Sequence, residues 1–215
     1  MPKARFVCLA NSNKEGGRCL AGIVLDEKNH PMIEDGHPKW IRPICKTVHG
    51  EIPTPLVTGI NILDIIEIEM LSFQNLDNHQ PENVLFAERS LRVVGQYEKS
   101  GLGAFYASHR WIFGNRGKAI MKAEIDQHNH SLMFIKADDF EVYQDTKDFF
   151  KPMTRVKFAY HGNRYDLPVT DPVFLKNYQA NPEFVKGYNQ MEMTLSLGVE
   201  YKGWYYKLIA CIILS

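Results

Sequence analysis

The stretch MTRVKFAYHGNRYDLPVT, Met153–Thr170, decides the fold, because it closes on paper into one kind of object. A two-residue Gly162-Asn163 loop pairs Tyr160 with Tyr165, Phe158 with Leu167 and Val156 with Val169, which sets the apolar side chains on one face. Glycine in the first loop position suits a type II′ turn. Arg155 and Lys157 fall on the opposite face. Pro168 has no N–H for a ladder, so its strand belongs at a sheet edge. The expected unit is an antiparallel hairpin with one buried and one charged face.

Working outward, FVCLANSNKEGGRCLAGIVL (Phe6–Leu25) repeats the arrangement, with apolar runs over residues 5–10 and 18–25 flanking a polar loop. Phe6, Cys8 and Ala10 alternate with Val7 and Leu9, apolar on both sets, as in strands covered on both sides. Strands are expected at Lys39–Ile44, at Leu63–Leu71 and at Leu91–Tyr97. In the second of these, Ile66, Ile68 and Met70 oppose Glu67 and Glu69. Ser72–Ser90 between them reads as polar and irregular. Leu102, Phe105, Tyr106, His109, Ile112 and Phe113 recur at steps of three and four, which predicts a helix stopped by Gly114 and Asn115. GNRGK, Gly114–Lys118, is then a basic loop at a boundary, and a partly helical linker spans 99–130. Asp171-Pro172 starts a short helix running to about Ala180. Strands over Met191–Leu197 and Trp204–Leu214 end the pattern. Short strands joined by turns describe small antiparallel barrels, mainly β with minor α, one over 1–98 and one over 131–215.

Composition narrows the function. There are 25 lysines and arginines against 25 aspartates and glutamates, so no global field draws the chain to a polyanion, and any such surface is a local patch. MPKARFVCLA lacks the apolar run of a signal peptide and no stretch is long enough to span a membrane, which predicts a cytoplasmic protein with no membrane partner. Cys8, Cys19, Cys45 and Cys211 stand singly in or beside apolar runs, as reduced buried thiols do.

Five segments carry a resemblance: FVCLANSNKEGGRCLAG at Phe6–Gly22, WIRP at Trp40–Pro43, ILDIIEI at Ile62–Ile68, HQPEN at His79–Asn83 and LSLGVEYKGWYYKLIACII at Leu195–Ile213. Together they resemble the bacterial dual OB-domain family, in order and across nearly the whole chain. The resemblance implies two OB-like barrels and no established enzymatic activity. Its implied role is recognition of nucleic acid or nucleotides, in mobile or defence-associated gene clusters.

Barrels of this type bind on one face and in the loops that rim it. Lys14 and Arg18 flank the Gly16-Gly17 pair, where backbone amides and charge can meet an anion; a plain glycine turn is the alternative. Trp40 and Arg42 point to one side, as a stacking plane beside a guanidinium or as a barrel filler beside a buried ion pair. Arg155 and Lys157, with Arg164 at the hairpin tip, make a second patch, binding or merely solvated. Trp204 belongs to an interleave of Trp204, Tyr205 and Tyr206 with Lys202 and Lys207, which is either a binding strip or core.

Catalytic readings have thinner support. His128 and His130 share a strand face but lack a third ligand, so no metal and no cofactor is expected. A Cys8 or Cys19 nucleophile would sit in an apolar run that raises its pKa; Cys45 with His49, or His79 with Glu82, is the remaining hydrolase option. No Walker loop, dinucleotide fingerprint or serine elbow occurs. The expected function is non-catalytic binding of single-stranded nucleic acid or a nucleotide-like ligand. A scaffold that docks a protein partner along its sheet edges is the alternative.

Overall fold

The computed structural model describes residues 2–73, 79–137, 139–146 and 152–215, with the side chains of residues 72 and 73 left out. Residues 74–78 of the segment expected to be irregular lie outside it. The fold is mainly β, with one closed five-stranded barrel and one half-barrel, two OB-like units. Chain contacts divide it into Met1–Tyr106 and Ala107–Ser215, a division that falls within 99–130.

In the first unit, β1 (Lys3–Lys14) and β2 (Gly17–Val24) form the N-terminal hairpin. A two-stranded ribbon of β3 (Ile33–Glu34) and β4 (His37–Pro38) precedes β5 (Trp40–Ile44). The four-residue α1 (Thr54–Val57) leads into β6 (Asp64–Phe73), then β7 (Asn83–Phe86) and β8 (Arg92–Gln96). Strand order β1-β2-β5-β7-β6 closes when β6 pairs back onto β1, and β8 adds to the side of β6. Phe6, Cys8, Leu20, Ile41, Ile52, Ile66, Ile68 and Phe86 form the core, while Val7, Leu9 and Ala10 are also buried, so β1 is covered on both sides. Glu67 on the outer face of β6 pairs with Lys3 and Arg92.

Two 3-10 turns, Lys99–Phe105 in the first unit and Ile112–Gly114 in the second, stand where the three-and-four stripe predicts one helix. The second unit begins at Ala107, ahead of the latter turn. Phe113 adopts φ 46° and Gly114 φ 76°, a left-handed pair that no α-helix continues through. The strands are β9 (Ala119–Met121), β10 (Leu132–Ala137), β11 (Phe140–Asp145), β12 (Met153–Tyr160) and β13 (Asn163–Pro168), followed by α2 (Pro172–Ala180), β14 (Met191–Tyr201) and β15 (Trp204–Leu214). One sheet runs β10-β14-β15-β9 and the other β11-β12-β13, which leaves β13 and its Pro168 at an edge. Val169 bridges to Ile209 between the two sheets, over a core that includes Met133, Ile135, Phe158, Leu167, Met193, Leu195 and Ile209.

The β12–β13 hairpin turns through His161 and Gly162, both at positive φ, so Tyr160 faces Asn163, Phe158 faces Tyr165 and Val156 faces Leu167. The expected Gly162-Asn163 turn is therefore displaced, and the pairing slips by two residues. A slip of two preserves every side chain's face, because the strand period is two. Val156, Phe158, Tyr160, Tyr165 and Leu167 are buried, with Arg155 and Lys157 outside. Asp171 caps α2 as its sequence suggests: Oδ1 accepts from the Val173 and Phe174 N–H groups, and Oδ2 accepts from Ile212 N–H of β15. Among the described residues no helix is long and apolar enough to cross a membrane.

Candidate functional site

The N-terminal hairpin turns through Glu15 and Gly16, with Gly17 and Arg18 already paired within β2. A Cβ on Gly17 would stand 2.7 Å from the Ile52 carbonyl oxygen. Arg18 exchanges both backbone hydrogen bonds with Ile52 at 2.9 Å, and its guanidinium donates to the Asn11 carbonyl. The second glycine thus serves close packing of two backbones. Lys14 pairs with Gly17 at the end of the hairpin.

Trp40 is half-buried at the start of β5, opposite Ile23. Arg42 is 1% exposed. Its Nη1 donates to Asn83 Oδ1 at 3.5 Å across the parallel β5–β7 pair, and its backbone N–H donates to the Glu82 carbonyl. The WIRP and HQPEN segments therefore meet in the first unit, where His79, Gln80, Glu82 and Asn83 are all buried. The burial of Arg42 favours the alternative reading of an enclosed side chain over that of a surface contact. The hydrolase option at Cys45 fares no better. Burial first, then the charges of Glu88 and Glu51, push its thiol up to about 12, far from a thiolate. His49 is exposed and its backbone N–H donates to Glu51. All four cysteines are free.

A concave site forms in the second unit. A pocket of about 490 Å³ lies between the loop residues Arg116, Gly117 and Lys118 and the β11–β13 residues Tyr143, Asp145, Arg155, Arg164, Tyr165, Asp166 and Leu167. That volume falls in the range of ligand pockets. Four cations face two carboxylates across it. Asp166 is committed, since its Oδ1 accepts from Arg155 Nε at 2.9 Å, its backbone carbonyl accepts from Arg155 Nη2 at 2.8 Å and its Oδ2 accepts from Tyr143 Oη at 2.8 Å. Burial and this carboxylate raise the Tyr143 pKa, so its hydroxyl stays protonated. Arg164 pairs with Asp139 at 3.0 Å, but both side chains are largely in water and the pair is weak. Arg116 and Lys118 have no ion pair among the described residues. Arg116 lies 5.8 Å from the centre of the Trp111 ring, with Arg110 at 5.4 Å.

The loop is held from below. Asn115 Oδ1 accepts from Gly117 N–H, Asn115 Nδ2 donates to the Ala119 carbonyl, and Ile112 N–H donates to Tyr165 Oη. Lys207, fully buried on β15, donates to the carbonyls of Ile112 and Asn115.

Of the sequence candidates, Arg155 and Arg164 reach this pocket. Lys157 lies beside it, paired with Glu141 at 3.2 Å and 4.6 Å from the centre of the Tyr143 ring. Trp204 is 40% exposed at the start of β15 and pairs with Tyr201 and Met121, while Tyr205 and Lys207 point inward. The interleave is thus split by the strand period: Trp204 and Tyr206 outside, Tyr205 and Lys207 inside. Arg116, Lys118 and Tyr143 were missed; the GNRGK charge run was the available signal, but it reads as linker. His130 stacks on His109 at 4.8 Å, and burial, then the charge of Lys207, lowers the His128 pKa. Among the described residues no three His, Cys, Asp or Glu side chains converge as metal ligands.

The family described as a dual OB-containing domain matches residues 4–212. Comparison with curated proteins gives no match. A replication protein A heterotrimer bound to ssDNA is similar at 9% identity, over 98% of this chain and 49% of that chain, with a TM-score of 0.37; this chain spans about half its length. A murine DNA binding protein bound with ds DNA is similar at 8% identity over 100% of this chain and 98% of that one, at a TM-score of 0.36. The p204 HINb domain is similar at 11% identity over 95% of each chain, at 0.38.

Proposed function

The chain belongs to the dual OB-containing domain family, and from that premise we propose that it binds single-stranded nucleic acid, taking backbone phosphate into the pocket of its second unit. The observation that carries this reading is the pairing of Arg116 and Lys118, two cations without carboxylate partners among the described residues, across a concavity from a fixed Arg155. An ion already paired gains little from a phosphate, whereas an unpaired one exchanges counterions for it. Tyr143 in the wall offers a ring for an unpaired base, which a duplex would keep stacked inside.

The reading commits to a polyanion held through phosphates without reading sequence. Fluorescence anisotropy of labelled single-stranded DNA and RNA over a salt series tests it. Binding is expected at low salt, with log K falling against log salt at a slope of roughly −3 if all four cations meet phosphates. No binding at low salt, or binding indifferent to salt, overturns it.

A further inference from the structure

Lys207 Nζ has three oxygens around it: the Ile112 carbonyl at 2.6 Å, the Asn115 carbonyl at 2.8 Å and Asn115 Oδ1 at 2.7 Å. Three acceptors at that range require three N–H hydrogens, which an ammonium has and a neutral amine lacks. All three belong to the turn that leads directly into Arg116 and Lys118. Between them, Phe113 N–H donates to Met133 Sδ, a weak acceptor.

We propose that Lys207 is the positioning residue of the pocket: its ammonium holds the 112–118 loop in the shape that presents Arg116 and Lys118, so ligand binding is linked to one proton at Lys207. The inference rests on the reading that the pocket takes backbone phosphate. It goes beyond that reading by tying the grip to a group that touches no ligand.

The surroundings give that proton a reason to leave. Tyr165 of β13 presents its ring 5.6 Å from Nζ, and Leu197 of β14 stands opposite. The Lys118 carbonyl, ahead of β9, accepts from the Lys207 backbone N–H. His128 feels the Lys207 charge, with Glu124 opposing it, and a lowered pKa keeps that histidine neutral at neutral pH. Arg116 and Lys118 add like charge at the pocket mouth. Among the described residues no carboxylate offsets the loss of water, and burial pulls the Lys207 pKa down to about 7.

The sign follows. As pH rises through about 7 the folded chain loses the ammonium, one acceptor of the loop loses its donor, and a lone pair is left facing oxygen. In the unfolded chain the lysine keeps its proton to its ordinary value of 10.5. Between these limits the unfolded state binds more protons, so the contribution of Lys207 to global stability rises with pH while its hold on the loop fails. Binding and folding therefore move in opposite directions, which a merely structural lysine would not produce.

The test uses the full chain and an unphosphorylated single-stranded oligonucleotide, whose phosphodiesters do not titrate near neutrality. Affinity is expected to fall by up to about twentyfold between about pH 6.5 and 8.5, as one linked proton requires. Calorimetry in buffers of different ionisation enthalpy is expected to show proton uptake on binding at about pH 7.5. Lys207→Met is expected to bind weakly and with a flat pH profile; if it does not fold, the wild-type measurements decide. Intact binding that is flat with pH and takes up no proton overturns the role of Lys207 alone. No binding at the lower pH overturns the phosphate reading and this inference with it.

Discussion

The two hairpins of the molecule share a turn and part in their use of charge. Both reverse through two residues at positive φ, Glu15-Gly16 in one and His161-Gly162 in the other, and both carry arginine just beyond the turn. In the first, Arg18 bonds backbone carbonyl and Gly17 packs against Ile52, so the tip is absorbed into a closed barrel. In the second, Arg164 and Arg155 border a hollow, because β13 is an edge strand and the 112–118 loop stands beside it. Charge near a turn becomes a site only where an open edge leaves concave space.

The contrast can be broken at several points. Gly22→Ala should have the largest effect, because the added Cβ would lie 1.8 Å from the Val7 carbonyl oxygen inside β1–β2. A loss of roughly 4 kcal/mol or more is expected in chemical unfolding, concentrated in the first unit. Asp171→Ala should come next. It removes the acceptor of three backbone N–H groups that ties α2 to β15, at a cost of about 2 kcal/mol by the same measurement.

Arg116→Ala with Lys118→Ala should leave unfolding unchanged and weaken oligonucleotide binding about tenfold at low salt, with the salt slope shallower by roughly 1.4. Lys14→Ala with Arg18→Ala should change affinity by no more than about twofold, as expected for charges outside a concave site.

Much of this fold is written in local alternation. Val156, Phe158 and Leu167 declare an inward face, Glu67 and Glu69 an outward one, and Asp171-Pro172 a helix start, because each depends on neighbours a few residues away. The hairpin register is not written there, since a two-residue slip satisfies the same alternation. The stripe from Leu102 to Phe113 misleads for a related reason: spacing of three and four serves successive 3-10 turns as well as a helix. Within the site, Arg155 and Arg164 can be placed on the outer face from sequence. Arg116 and Lys118 cannot be joined to them, because their loop is fixed by Lys207, 92 residues beyond Asn115. Arg42 shows the reverse case, a cation on a surface-like motif whose side chain is buried beside the parallel β5–β7 pair.

The central claim is tested most directly by an amide chemical-shift map of the chain titrated with a single-stranded oligonucleotide at low salt. The account predicts the largest shifts at Gly114, Gly117 and Lys118 and at Tyr143 and Tyr165–Leu167, with residues 14–18 little moved. Shifts gathered on the β1–β2 hairpin, with the 114–118 loop silent, would contradict it.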